Sequence, residues 1–245
     1  MDILLVHLGT PCECFVASSI IKGIIKEYGK NITIHLIVNN KFSEQIYRYN
    51  KYIKKTYVID KVPNEIIHKD FDLFINLHPD FTFEKFFEIK SKLKFGFGFS
   101  QEGEKLQEIL YGDKKSNKNI FQIYYNLANM KWSGESYNFE YYPKSKTNKR
   151  MTGIGVANIN LKNYIIDRLQ LNLSETKTIP FKQNIFKKMD EINRFLNIVT
   201  DDFFTMNVSI HLRKNVFFLE TLPYNFQLEF FGSGKVFRIP KEIVR

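Results

Sequence analysis

Cysteine is nearly absent. The 245-residue chain has two, Cys12 and Cys14, one residue apart. They cannot staple distant parts of a fold, and two thiols alone are too few for a tetrahedral zinc site. Such usage fits a reducing compartment. Long apolar runs are also missing: the longest, at residues 3–6 and 216–219, fall far short of the ~20 residues that cross a bilayer. The amino-terminal stretch has no basic start, apolar segment and small-residue cleavage site of the secretory kind. The expected location is therefore cytoplasmic, with peripheral attachment to the inner membrane as an extension. No zinc-finger, RNP-like aromatic or helix-turn-helix signature occurs, so nucleic acid is not an expected partner. Internal repeats are absent too.

What is present is apolar, aromatic and basic. Hydrophobic residues make up 44% of the chain, with 24 Phe and 13 Tyr, which supplies a proper core and excludes whole-chain disorder. The length suits one large domain or two lobes of about 100 to 150 residues. Lys and Arg number 36 against 26 Asp and Glu, a net charge of +10. Such a field favours phosphorylated ligands, nucleic acid or an anionic membrane surface. The joint abundance of Lys, Asn, Ile, Tyr and Phe is also what an A+T-rich coding sequence produces without functional demand.

The order of elements sets the fold class. Residues 3–8 read as a buried strand running into the turn Gly9-Thr10-Pro11. Phe15, Ile20, Ile21, Ile24, Ile25 and Tyr28 then recur at helical spacing, closed by Gly29. Strands are predicted at 32–38, 55–60, 71–77 and 94–99, and helices at 42–49 and 83–91. That alternation belongs to a parallel sheet wound with helices. Residues 111–119 are polar, 120–130 form an amphipathic helix, and 143–150 carry Lys144, Lys146, Lys149 and Arg150 as a solvated linker. The rhythm restarts with strands at 153–157, 197–200, 215–219 and 235–239 and helices at 162–171, 185–195 and 205–212. The predicted architecture is α/β with two Rossmann-like lobes, residues 1–150 and 151–245, the second small enough to be incomplete.

Several segments narrow the choice. The opening Ile3-Leu4-Leu5-Val6-His7-Leu8-Gly9-Thr10-Pro11-Cys12-Glu13 resembles the start of the glycosyltransferase family 9 enzymes, the bacterial heptosyltransferases of lipopolysaccharide synthesis with a GT-B fold. Asn50-Lys51-Tyr52-Ile53, Phe71-Asp72-Leu73-Phe74-Ile75-Asn76-Leu77-His78 and Lys94-Phe95-Gly96-Phe97 follow in that family's order. Near the end, Asp201-Asp202-Phe203-Phe204-Thr205-Met206-Asn207 lies over the family's Asn-Asp-Ser-Gly-x-Met-His motif, and Leu212-Arg213-Lys214-Asn215-Val216 is similar to Leu-Gly-Lys-Pro-Val. There are departures. Cys12-Glu13 stands at the family's Gly-Asp, Phe203-Phe204 at its Ser-Gly, and Asn207 at its His.

The resemblance implies inverting transfer of a sugar from a nucleotide-diphosphate donor, ADP-heptose-like, with no metal and no other cofactor. Its first lobe takes the acceptor and its second the donor. Glu13 falls on the catalytic base, where it would take the acceptor's hydroxyl proton; the alternative is a first-turn Glu that complements the helix dipole. His7, Thr10 and His78 fall on the acceptor side, each lone His being equally readable as a structural residue. Lys162, Asp202, Thr205 and Asn207 fall on the donor side. Lys162 would neutralise charge on the leaving diphosphate or be an ordinary surface lysine. Asp202 would orient a phosphate-binding turn or cap the helix that follows. Asp201-Asp202 is the sole acidic pair that suggests a diphosphate-bound metal. Phe81, Phe83, Phe86 and Phe87 suggest an apolar patch for a lipid acceptor or partner. Expected partners are the nucleotide sugar, a glycolipid or glycoprotein acceptor, an anionic membrane surface and a protein. Two phenylalanines where close backbone approach needs small residues also support a second reading. In it the chain is a degenerate glycosyltransferase-like scaffold that kept the fold and lost the donor site.

Overall fold

The computed structural model describes residues 1–79, 88–99, 101–180, 184–221 and 235–239. Among these, Met1–Glu140 form one compact unit and the residues from Tyr141 on form a second. In chain order the first unit comprises β1 (Asp2–His7), α1 (Pro11–Ala17), α2 (Ile20–Tyr28), β2 (Thr33–Val38), α3 (Lys41–Tyr47) and β3 (Ile53–Val58). It continues with α4 (Asn64–Ile67), β4 (Phe71–Asn76), β5 (Ser91–Gly96), α5 (Gln101–Leu110) and α6 (Ile120–Leu127). Its sheet has the order β3-β2-β1-β4-β5, with all neighbours parallel.

Strand β1 is central and covered on both faces, so Ile3, Leu4, Leu5 and Val6 are an unbroken apolar run instead of an alternating one. Each such side chain contributes ~1.5–3 kcal/mol by leaving water. The helical segment after β1 is not continuous. The Ser18 hydroxyl donates to the Phe15 carbonyl at 2.6 Å and accepts from the Asn138 amide at 3.0 Å. This local competition with the helix ladder splits α1 from α2.

Strand β5 begins three residues earlier than the predicted 94–99. Gly96 ends it at φ +100, where a Cβ would lie 1.9 Å from the Asn76 carbonyl oxygen. Only glycine can make that turn. The helix predicted at 83–91 lies mostly outside the described residues, and its last residue, Ser91, already starts β5. Phe81, Phe83, Phe86 and Phe87 likewise lie outside them. Helices α4 and α5 were not anticipated.

The second unit comprises β6 (Asn148–Gly155), α7 (Ile159–Arg168), β7 (Thr176–Thr178), α8 (Ile185–Asn193), β8 (Phe195–Thr200), α9 (Phe203–His211), β9 (Asn215–Leu219) and β10 (Val236–Ile239). Residues 148–150, read from composition as linker, are the exposed first residues of β6. The sheet order is β10-β9-β8-β6-β7, again parallel throughout. It carries five strands, as the first sheet does. The short β7, Thr-Lys-Thr, is too polar to stand out as a strand. Ile154, Ile165, Val199 and Leu219 form the core on one face. Gly153 permits close packing, since a Cβ there would meet Phe195 at 2.6 Å and Ile179 at 2.8 Å.

The two sheets are both doubly wound but are not copies. The first has the 3-2-1-4-5 strand order of the dinucleotide-binding sheet without its sixth strand, while the second, counted from β6, has the flavodoxin-like order 2-1-3-4-5.

Candidate functional site

Open parallel sheets bind ligands beyond the carboxyl ends of the strands, where the strand order reverses. In the first unit that switch point lies at β1 and β4, and in the second at β6 and β8.

At the first switch point, β1 ends on His7 and the chain turns through Gly9 into α1. Thr10 caps the helix: its hydroxyl accepts from the Glu13 amide at 3.3 Å, and its own amide donates to Glu13 Oε2 at 2.6 Å. With Pro11 opening the helix, this is a complete capping box. The sequence Thr-Pro-Cys-Glu therefore holds the Glu13 side chain back over the strand end. Gly9 makes room for it, because a Cβ there would lie 2.8 Å from Glu13 Oε2 and 2.9 Å from His7 Cε1.

Around Glu13 the surroundings are aromatic. His7 is fully buried, with Nδ1 2.8 Å from Cys14 Sγ. Burial pulls its pKa down to about 3, helped by the nearby His78, so the ring is neutral at neutral pH. Burial likewise pushes the Cys14 thiol up, keeping it protonated. The His7 ring packs edge-on against Tyr124 at 5.5 Å and His78 at 6.1 Å, and His78 in turn packs against Tyr111 at 5.4 Å. Tyr111 keeps 42% of its surface exposed. Its phenol is nonetheless pushed upward, first by burial and then by the adjoining Glu13 carboxylate. Among the described residues His7 Nε2 is buried without a hydrogen-bond partner, and the buried Tyr124 hydroxyl interacts with the Tyr111 phenol. Such atoms sit in a polar microenvironment able to meet a hydroxyl.

Glu13, His7, Thr10 and His78 thus come together at one sheet end, although 71 positions separate His7 from His78 along the chain. Tyr111 and Tyr124 complete the cluster and were not anticipated. Tyr111 falls in a polar stretch and Tyr124 in an apolar helical stripe, so neither carries a local signal.

The second switch point is more self-contained. Asp202 caps α9, accepting from the Phe204 amide at 3.3 Å, the Thr205 amide at 3.0 Å and the Thr205 hydroxyl. It also pairs with the buried Lys188 at 3.0 Å. Burial raises the Asp202 pKa, but Lys188 and the Thr205 bonds outweigh it and hold the carboxyl below its usual range. Lys188 lies over the Phe204 ring at 5.1 Å. Asp201 is shifted the other way, raised by burial despite hydrogen bonds from its own amide and that of Ala157. Thr205 and Asn207 are buried, and the Asn207 amide donates to the Phe203 carbonyl at 2.7 Å. Lys162, half-buried on α7, donates to the Thr178 hydroxyl at 2.6 Å. Among the described residues no group of three or more His, Cys, Asp or Glu side chains gathers as a metal site.

No protein-family model and no curated protein sequence matches the chain. Solved structures do match over nearly all of it. The glycosyl transferase family 9 protein from Veillonella parvula aligns with TM-score 0.69 at 12% identity, covering 98% of this chain and 86% of that one. E. coli heptosyltransferase WaaC with ADP aligns with TM-score 0.67 at 9% identity, covering 100% and 95%. E. coli ADP-heptose lps heptosyltransferase II gives 0.63 at 12% identity, covering 100% and 94%. At these identities the likeness establishes a shared fold, the two-lobed α/β architecture of GT-B glycosyltransferases. The described residues contain no helix long and apolar enough to cross a membrane.

Proposed function

We propose that the chain is a glycosyltransferase that moves a sugar, heptose or similar, from a nucleotide-diphosphate donor to a hydroxyl of a bacterial surface glycan or glycoprotein. The observation that carries this reading is the gathering of Glu13, Tyr111, His7 and His78 at the first switch point, in a fold shared with heptosyltransferases solved with ADP. Glu13 is the carboxyl of that cluster, and its capping box fixes its direction.

In the proposed reaction the acceptor oxygen attacks the anomeric carbon as its proton passes to Glu13. The bond from that carbon to the nucleotide diphosphate breaks, and the configuration inverts. His7, His78 and Thr10 would hold neighbouring acceptor hydroxyls, the buried His7 ring being neutral. Tyr111 beside the carboxylate would orient it. On the donor unit, Lys162 would neutralise the leaving diphosphate, with Asp202, Thr205 and Asn207 shaping its turn. Peripheral binding to an anionic membrane would add ~1 kcal/mol per well-placed Lys or Arg.

The scaffold reading retains one specific support. The first amides of α9, which a diphosphate would need, already bind the Asp202 carboxylate. Phe203 and Phe204 follow directly. Calorimetry with ADP, GDP, UDP and CMP sugars at two salt concentrations separates the readings. Saturable, salt-resistant binding of one nucleotide sugar, followed by transfer that Glu13→Gln abolishes, supports the enzyme. Absence of binding by all of them supports the scaffold.

A further inference from the structure

Cys14 takes no part in the transfer proposed above, yet its thiol lies against a ring that does. It is wholly buried on α1, with Sγ 2.8 Å from His7 Nδ1. Around the same sulfur stand the His7 and Gly9 carbonyl oxygens, each at 3.7 Å, and the Ser43 and Tyr47 hydroxyls. Burial keeps the thiol protonated and the His7 ring neutral. One hydrogen therefore sits on the sulfur and one on the imidazole, and their placement decides what His7 offers to the site.

Two arrangements make the short contact. In one, the thiol donates to a bare Nδ1, and the other ring nitrogen, Nε2, carries the hydrogen. In the second, Nδ1–H donates to the sulfur and Nε2 is left as a bare lone pair. Three observations favour the second. A ring N–H is a better donor than a thiol, so nitrogen is the stronger source for the 2.8 Å contact. The thiol hydrogen has acceptors of its own in the two carbonyls, and in Tyr47, whose hydroxyl hydrogen already goes to the Cys14 carbonyl at 2.8 Å. Finally, Nε2 is fully buried with no partner among the described residues. An orphaned N–H is rarer in protein interiors than an unmet acceptor.

The free nitrogen lies on the Glu13 side of the ring. It is bonded to Cε1, and a Cβ on Gly9 would meet Cε1 at 2.9 Å and Glu13 Oε2 at 2.8 Å. Edge-on packing against Tyr124 and His78 keeps the ring in that orientation.

We infer that Cys14 is a positioning residue: its sulfur accepts the Nδ1 hydrogen of His7 and so leaves a bare Nε2 lone pair for a ligand hydroxyl beside Glu13. A polyol with adjacent hydroxyls suits this pair, one hydroxyl giving its proton to Glu13 while its neighbour donates to His7. For the identity of the ligand this rests on the glycosyl-transfer reading; the tautomer belongs to the protein alone.

Nitrogen-15 NMR of the histidine-labelled protein at neutral pH tests it. The chain has five histidines, and the His7 signals are those missing from His7→Gln. In the parent, Nδ1 is expected in the pyrrole-like range and Nε2 in the pyridine-like range. Cys14→Ala should lower the ratio of the two tautomers about tenfold, whereas Cys14→Ser, which still offers an acceptor, should keep the parent pattern. Glycerol is then titrated as the smallest polyol with adjacent hydroxyls, and Nε2 should move saturably toward the pyrrole-like range as it accepts a hydrogen. A parent that carries its hydrogen on Nε2 overturns the inference before any variant is made. So does a folded Cys14→Ala with the parent's tautomer ratio, or an Nε2 signal that glycerol leaves in place. None of these measurements needs a nucleotide sugar, so their failure is distinct from a failure of calorimetry to find a donor.

Discussion

Acid should destabilise the first unit, and His7 carries a share of that loss that one substitution can isolate. The ring is fully buried, and burial with the nearby His78 lowers its pKa to about 3. An unfolded chain binds a proton at His7 below about 6.5, the ordinary histidine value. The folded chain does not until about 3. The sign follows: nothing changes above pH 6.5, and stability falls steadily as pH drops from there toward 3. Each unit in that window costs ~1.4 kcal/mol, so at pH 5 the loss from this residue is about 2 kcal/mol relative to pH 7.5.

His7→Gln keeps a polar side chain of similar size and removes the titration. Urea unfolding followed by Trp132 fluorescence reads the unit that contains His7, because Trp132 is the only tryptophan and both residues lie within Met1–Glu140. Between pH 7.5 and 5 the parent should lose about 2 kcal/mol more than the variant. His35, also shifted down by burial, is common to both proteins and cancels. Equal losses in parent and variant would refute the reasoning, because His7 would then be protonated in the folded state.

Three further outcomes are expected. Glu13→Gln, which keeps the capping box, should leave unfolding unchanged while lowering any demonstrated sugar transfer by about 10²–10⁴-fold; unchanged turnover in a radiolabelled-donor assay removes Glu13 from the base role. Gly9→Ala should displace the Glu13 side chain, whose Oε2 would lie 2.8 Å from the new Cβ. Its cost of about 1–3 kcal/mol is readable by thermal unfolding, with transfer lost alongside. Asp202→Ala removes the cap of α9 and the carboxylate paired with Lys188, and the lost cap alone should cost about 1–2 kcal/mol, whereas Asp202→Asn should keep part of the cap. Chemical denaturation of the three proteins checks that ranking.

The legible features were those with local causes. A covered central strand must be a continuous apolar run, and 3–6 is one. Gly9-Thr10-Pro11 marks a turn after that strand, and the helical spacing that begins at Phe15 falls in α1; that Thr10 and Glu13 close a capping box emerged only in the structure. The α/β class and the position of Glu13 at a strand end were readable for these reasons. Strand β5 was misplaced because its end depends on Gly96 passing the Asn76 carbonyl, a contact 20 residues distant. The break at Ser18 depends on Asn138, further away still.

By itself, then, the order of apolar runs and turn residues determined an α/β chain with Glu13 at the mouth of its first helix, since periodicity and turn preferences act over a few residues. Strand order was the province of tertiary structure. Only sheet assembly set β1 beside β4, which brought His78 to His7. Only the packing of α6 against the β1 end, and the placing of Tyr111 after α5, brought Tyr124 and Tyr111 to the same spot. The two strand orders, 3-2-1-4-5 and 2-1-3-4-5, are equally compatible with alternating strands and helices. Which one forms depends on which faces exclude water together, and that is a property of the whole folded unit.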